Sequence, residues 1–340
     1  MPEKNLRALI QKVANGSTLT AGEIRTALEL MSEGHATGAQ MGAFLMALRV
    51  RGETPEEILG AAQMLRSRMN RVEAPPGAVD IVGTGGDSHG TYNVSTASSI
   101  VAAGAGVKIA KHGNRSVSSI SGASDVLQAL GVKLDGPFSK ISEAIETAGV
   151  GFMWAPLHHP VLKNWATTRA ELGIRTIFNL LGPICNPAGV RRQVVGVFSW
   201  QWVEPIAHTL KDLGTDHVWV VHGHDGLDEL TTTGATDIAE VKDGKVTVFE
   251  VTPADAGLPP AKLSDLKGGD AAFNAQAIRR LLDGEQGPFR DIVLFNAAAA
   301  LIVGGKVKTL PEGVALAKTA IDSGAARSVL EKLVRVTNSG

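Results

Sequence analysis

After Pro75-Pro76-Gly77, short apolar runs alternate with glycine-punctuated helical stretches, and this rhythm constrains the fold more than any other feature of the chain. Residues 79–82, 107–110, 150–154, 193–198, 217–221 and 291–295 read as buried strands. Between them, residues 94–103, 124–130, 139–148, 160–172, 205–213 and 297–303 read as helices. Such an order predicts an α/β domain with a mostly parallel central sheet flanked by helices. One antiparallel excursion is expected, where a turn at Asp243-Gly244 separates 238–241 from 246–249.

Before the proline pair only helical periodicity is found. Thr54-Pro55-Glu56-Glu57 reads as a helix start, with Thr54 as cap, Pro55 in the first turn and Glu57 closing a capping box. Ile58, Ala61, Ala62, Leu65 and Met69 then fall on one face. Ile24, Ala27, Leu28 and Met31 repeat the pattern, as do Met41, Phe44, Leu45 and Leu48. The expected organisation is a small N-terminal all-helical domain over residues 1–74 and a large α/β domain over 75–340.

Composition narrows the function classes. The chain has 340 residues, with 33 basic against 34 acidic side chains, and no cationic block. A duplex nucleic-acid binder relying on phosphate neutralisation is therefore disfavoured. The single cysteine, Cys185, permits no internal disulfide or thiolate-cluster metal site and suits a reducing compartment. The N-terminus carries Glu3, Lys4, Arg7 and Lys12 without an apolar core of signal-peptide length. No apolar stretch reaches the length of a membrane span. A cytoplasmic enzyme, without membrane or nucleic-acid partners, is the expectation.

Four motifs carry polar chemistry where strands end. Gly83-Thr84-Gly85-Gly86-Asp87 follows the first strand, where glycines can bend tightly and present N–H groups to an anion. It is neither a P-loop, lacking Lys-Ser/Thr, nor spaced as a dinucleotide fingerprint. Asn93-Val94-Ser95-Thr96 opens the next helix, where these residues can cap it, hold phosphate or metal-bound oxygens, or do both. Lys111-His112-Gly113-Asn114-Arg115-Ser116-Val117-Ser118-Ser119 follows the second strand. Ligands in open α/β sheets bind beyond the carboxyl ends of strands, so these residues suit a phosphorylated ligand, with a solvated basic loop as the alternative. His224-Asp225-Gly226-Leu227-Asp228-Glu229 places two adjacent carboxylates after a strand, suited to a hard cation or to a solvated turn. Histidines do not cluster at zinc spacing; His158-His159 and His222/His224 read as structural.

Taken with Asn179-Leu180-Leu181-Gly182-Pro183, Asn186-Pro187 and Asn296-Ala297-Ala298, these motifs resemble the anthranilate phosphoribosyltransferases across essentially the whole chain. The resemblance implies transfer of a 5-phosphoribosyl group from phosphoribosyl pyrophosphate to the amine of anthranilate, in tryptophan biosynthesis, with Mg²⁺ as cofactor. By position it implies that Gly83, Gly86, Asp87, Thr91, Asn93, Val94, Ser95, Thr96, Lys111, His112, Gly113, Asn114, Arg115, Ser116, Val117, Ser118, Ser119 and Ala123 meet phosphoribosyl pyrophosphate. Gly83, Asn114 and Arg169 match anthranilate positions, and Ser95, Asp228 and Glu229 match Mg²⁺ positions. No residue is implied as a general acid or base. The family is a homodimer joined through its helical domain, with the active site between domains, so residues 165–182 should return to the helical part. Association with anthranilate synthase stays open.

Where such proteins often read Ser-Gly-Ser-Ala-Asp, this chain reads Ser121-Gly122-Ala123-Ser124-Asp125, so position 123 lacks a hydroxyl. Cys185 falls at a variable position and reads as a bystander. Two other readings fit less well. Pyrimidine nucleoside phosphorylases usually carry Lys-x-Ser-Gly-Arg and Gly-His-Thr-Gly-Gly, which Lys111-His112-Gly113-Asn114-Arg115 and Ser118-Ser119 match poorly. A non-catalytic, nucleic-acid-binding relative should show eroded motifs and an added basic surface, and the sequence has neither.

Overall fold

The structure is a computed structural model that describes residues 6–85, 89–115 and 121–339. Helices α1 (Leu6–Ala14), α2 (Ala21–Ser32), α3 (Gly38–Arg51) and α4 (Pro55–Arg68) open the chain. Thr20, Thr37 and Thr54 each cap a helix through a reciprocal bond with the Glu or Gln three residues on. Glu57 does more than close its box. Its fully buried carboxylate accepts the Leu19 N–H at 2.8 Å and pairs with Arg51, tying α4 to the entry of α2. A buried carboxylate persists only when satisfied in this way. The three apolar stripes read from the sequence are all buried.

In the second part, β1 (Val79–Gly83) leads through α5 (Val94–Gly104) to β2 (Ile109–Gly113). Next come α6 (Ala123–Ala129), α7 (Phe138–Thr147), β3 (Val150–Trp154) and α8 (Ala155–His158). Helices α9 (Lys163–Leu172) and α10 (Ile177–Ile184) precede β4 (Arg192–Gly196). After α11 (Val203–Asp212) run β5 (His217–Gly223), β6 (Thr236–Lys242) and β7 (Lys245–Val251). Helices α12 (Ala271–Leu282), α13 (Pro288–Val303), α14 (Leu310–Asp322) and α15 (Ala325–Asn338) follow.

The seven strands form one sheet in the order β3-β2-β1-β4-β5-β6-β7. The first five strands are parallel, whereas β6 pairs antiparallel with both neighbours. The hairpin turns on Asp243 and Gly244, at φ 50° and 71°, as a two-residue turn with two left-handed positions requires. Because the chain runs outward from β1 to β3 and then returns to β4, the order reverses between β1 and β4. Open sheets bind ligands at such a reversal.

Successive residues of each strand serve two cores. Ile81, Val194, Trp219, Val221 and Ile238 pack with α5 and α13. Val82, Val195, Val218, Val220 and Ala239 join the core shared with the first four helices. Trp165, Ile177, Phe178 and Leu181 enter that second core, where α9 packs on α2 and α3 and α10 on α3 and α4.

Two expectations need correction. Residues 291–295 are not a strand but the early part of α13. That helix is buried from Ile292 to Val303, so no polar face marks a helical period, and its apolar run imitates a central strand. The second strand begins at Ile109 rather than 107 and extends to Gly113. Lys111 and His112 therefore belong to the sheet, which removes the solvated-loop alternative for those two residues.

Candidate functional site

A cavity of about 280 Å³ lies at the carboxyl ends of β1 and β2, against the start of α5 and under α9 and α10. Gly83, Thr91, Asn93, Val94, Ser95, Lys111, His112, Gly113, Asn114, Arg115, Ala123, Arg169, Asp228 and Glu229 all line it. These come from stretches of chain far apart in sequence. Thr96 is buried in α5 and does not reach the wall. Gly86, Asp87, Ser116, Val117, Ser118 and Ser119 lie outside the described residues.

The two glycines at the strand ends exist for a close approach. A Cβ at Gly196 would overlap the Asp228 carbonyl, and one at Gly83 would overlap the Asp228 carboxylate. Only with both positions bare can the segment after β5 press against β1 and β4. There the Gly85 N–H donates to Asp228 Oδ2 at 2.6 Å, and the Ser95 N–H donates to Glu229 Oε1 at 3.1 Å. The second donor is in the first turn of α5, the positive end of the helix. Asn296, fully buried in α13, anchors the next residue: it accepts the Leu230 N–H at 3.0 Å and donates to the Leu230 carbonyl at 2.8 Å. The Thr231 and Thr233 hydroxyls each donate to Asp225 Oδ2 at 2.6 Å, so the turn itself is self-braced.

Lys111 is buried, and its Nζ donates to the Ile81 carbonyl at 2.5 Å. Burial lowers its pKa, opposed by the negative charges of Asp80, Glu229 and Asp228. Asp80 is wholly buried, its carboxyl raised to about 6 by desolvation against the pull of Lys111. It accepts the His112 N–H at 3.1 Å and an Asn186 amide N–H at 2.8 Å. Asn186 also donates to the Ala110 carbonyl at 2.9 Å, so the Asn186-Pro187 motif braces the strand beneath the lysine.

His112 hydrogen-bonds through Nδ1 to the Gly182 carbonyl at 3.1 Å and packs against His159, with ring centroids 5.1 Å apart. Burial, then the neighbouring His159, pushes His112 well below its ordinary pKa, and burial with His158 nearby pushes His159 to about 4. Both rings are neutral near pH 7 and contribute no charge to the cavity. Arg169 lies over the Phe178 ring at 4.9 Å, which holds a cation beside an apolar wall. Arg115 similarly faces Trp154 at 5.3 Å and Asp125 at 3.5 Å.

Tyr92, Ser121, His159, Phe178 and Asn179 also line the cavity, although the sequence does not mark them as site residues. Tyr92 stacks on Phe289 with centroids 4.2 Å apart. The segment 155–162 brings in His159, which reads as structural in the sequence. The signal available was the pair's place directly after β3, on the same sheet end as the other motifs. Cys185 lines the cavity but is buried, its thiol pushed up to about 12, consistent with a bystander. Away from the cavity, His224 sits 3.2 Å from Asp237 and 3.5 Å from Glu250, at half-exposed positions.

The cavity thus gathers backbone N–H groups, a buried lysine and two arginines opposite a carboxylate pair, as a charged, phosphorylated substrate with a cation would require. The helical-bundle domain of a glycosyl transferase family matches residues 7–69, and the a/b domain of that family matches residues 75–327. An anthranilate phosphoribosyltransferase of Parvibaculum lavamentivorans is 59% identical over 98% of each chain. The crystal structure of the Thermus thermophilus enzyme superposes with a TM-score of 0.90 at 42% identity, over 97% of this chain and 99% of that one. The Saccharomyces cerevisiae enzyme in complex with PRPP and Mg gives 0.90 at 29% identity, over 98% of each. With its two-part fold and its cavity at the sheet's reversal, the chain belongs to the anthranilate phosphoribosyltransferase family.

Proposed function

We propose that this cavity transfers the 5-phosphoribosyl group of phosphoribosyl pyrophosphate to anthranilate, releasing pyrophosphate and N-(5-phosphoribosyl)anthranilate. The observation that carries the reading is the meeting of Gly85 and Ser95 N–H donors, Lys111 and the Asp228–Glu229 pair on one cavity wall. Breaking the ribose C1–O bond builds positive charge on the ring and negative charge on the leaving pyrophosphate. Lys111 and the first turn of α5 stabilise that negative charge where it develops. Gly83, Gly85, Thr91, Asn93 and Ser95 bind the polyanion around them, with Gly86, Asp87 and residues 116–119 assigned to the same role on the family pattern.

Arg169 pairs with the anthranilate carboxylate and aims the amine at C1, while Gly83 and Asn114 bound the ring. The aromatic amine is neutral at pH 7 and sheds its proton readily after attack, so no strong base is needed. His112 and His159, held neutral with low basicity, are not assigned as bases.

Asp228 and Glu229 are adjacent oxygen donors at the cavity wall, a donor set that fits a hard cation such as Mg²⁺. When bound, with Ser95 alongside, Mg²⁺ would offset charge on the pyrophosphate. Homodimerisation through the helical layer and a cytoplasmic location belong to the same proposal, on the family resemblance alone. No described helix is long and apolar enough to cross a membrane. The test is stoichiometry: pyrophosphate released should equal anthranilate consumed, and release of ribose phosphate to water instead would refute the assigned acceptor.

A further inference from the structure

Asn93 precedes α5, where an asparagine side chain ordinarily caps the helix, yet it makes no such bond. Its Oδ1 instead accepts from Asn274 Nδ2 at 2.8 Å and from Ser121 Oγ at 3.3 Å, and its Nδ2 donates to the Ser121 carbonyl at 3.3 Å. Asn274 lies on α12, is 1% exposed and is not part of the cavity wall. Its Nδ2 also donates to Ser121 Oγ at 3.0 Å, and its Oδ1 accepts the Gly269 N–H at 2.9 Å.

The backbone around this amide is laced to residues 89–92, ahead of α5. The Gly268 N–H donates to the Gly90 carbonyl at 2.9 Å, and the Tyr92 N–H to the Leu266 carbonyl at 3.1 Å. A Cβ on Gly268 would overlap the Thr91 carbonyl and Asn274 Oδ1, so the chain at Gly268 lies directly on the segment at Thr91. Two strand-exit segments, 89–95 and 121–123, therefore meet at one buried side chain, which lies 181 residues from Asn93 in sequence.

We infer that Asn274 is a positioning residue for phosphoribosyl pyrophosphate, fixing the spacing of the two loops that must grip one polyanion. The inference rests on the reading of the cavity given above. A planar amide with two donors suits the task, because both Asn93 and Ser121 present oxygens to it. Its removal leaves buried polar groups without partners and lets the loops drift, and displacements of about an ångström at such sites are costly.

The test uses Asn274→Ala, Ser121→Ala and their combination in the full chain, with Asn274→Asp as a shape-preserving second variant should the alanine fail to fold. Calorimetry with Mg²⁺ and pyrophosphate gives binding without turnover. The expected result is a loss of pyrophosphate affinity and a rise in KM for phosphoribosyl pyrophosphate of about tenfold each, with KM for anthranilate within about twofold. The double variant should lose little beyond either single one, because both act through one network. Unchanged pyrophosphate affinity in a folded Asn274 variant, an equal rise in both KM values, or additive losses would overturn the inference. A wild-type protein that fails to bind pyrophosphate, or binds it regardless of Lys111→Ala, would sink the site reading and this inference with it.

Discussion

The Gly85 backbone N–H donates to Asp228 Oδ2 across 2.6 Å, so a carboxylate rests on the loop whose amides suit a phosphate. Glu229 Oε1 likewise accepts the Ser95 N–H at the start of α5. On the proposed function, a substrate phosphate would compete with these carboxylates for the same donors, and Asp228 and Glu229 would then be the residues to hold a hard cation. Asp228→Asn combined with Glu229→Gln should lower turnover about a hundredfold or more and flatten its response to Mg²⁺. In the absence of divalent cations, the same variant should bind pyrophosphate more tightly than wild type, because two negative charges have gone. Full activity of the variant at low Mg²⁺ would refute the metal assignment.

Arg169 stacks on Phe178 and makes no ion pair among the described residues, which on the proposed function would leave its charge for a substrate carboxylate. Arg169→Ala should raise KM for anthranilate by roughly 10- to 100-fold, the worth of a charge-assisted hydrogen-bond pair, and leave pyrophosphate affinity within a factor of about two. Steady-state kinetics with each substrate varied in turn checks this. An equal loss toward both substrates would contradict it.

Gly196 is where β4 meets the Asp228 carbonyl without room for a methyl group. Gly196→Ala should force the Asp228–Glu229 segment outward, destabilise the fold by about 1–3 kcal/mol, and depress turnover well beyond the change in Tm. Gly136→Ala, where a Cβ meets open space, should alter neither. Thermal melts and turnover measured side by side separate the two effects.

The architecture is largely legible in the sequence because its strands are short apolar runs bounded by glycine. Residues 150–154 coincide with β3, and Asp243-Gly244 marks the hairpin turn. The misread segment, 291–295, is buried all round, and a helix without a polar face has no period to read. Much of the cavity wall was legible because polar residues at strand ends have little packing reason to be there. What composition and spacing do not carry is the return of distant segments. Asn274 is one polar residue on an amphipathic helix until α12 folds against the loop at Asn93. His159 and Phe178 reach the wall only because the chain leaves the sheet after β3 and rejoins the helical layer.

Stability should fall with acid in a way that His159 helps to set. Its pKa in the fold is about 4, against an ordinary 6.5, so between those values the unfolded chain binds a proton that the folded chain does not. The stability His159 lends is present above about pH 6.5 and is lost as pH falls toward 4, by up to about 3 kcal/mol. Asp80, raised to about 6, acts in the opposite sense and is common to both proteins compared. Denaturant melts between pH 7 and 4.5 should show a shallower acid loss for His159→Gln than for wild type. Parallel curves would contradict the assignment.

Transfer to anthranilate is read by following anthranilate fluorescence after enzyme and phosphoribosyl pyrophosphate are mixed, with Mg²⁺, with chelator, and with Mg²⁺ restored. The expected result is rapid loss with Mg²⁺, little with chelator, recovery on restoring the ion, and a slowed trace for Arg169→Ala. A folded protein that leaves the fluorescence unchanged with both substrates and Mg²⁺ present would contradict it.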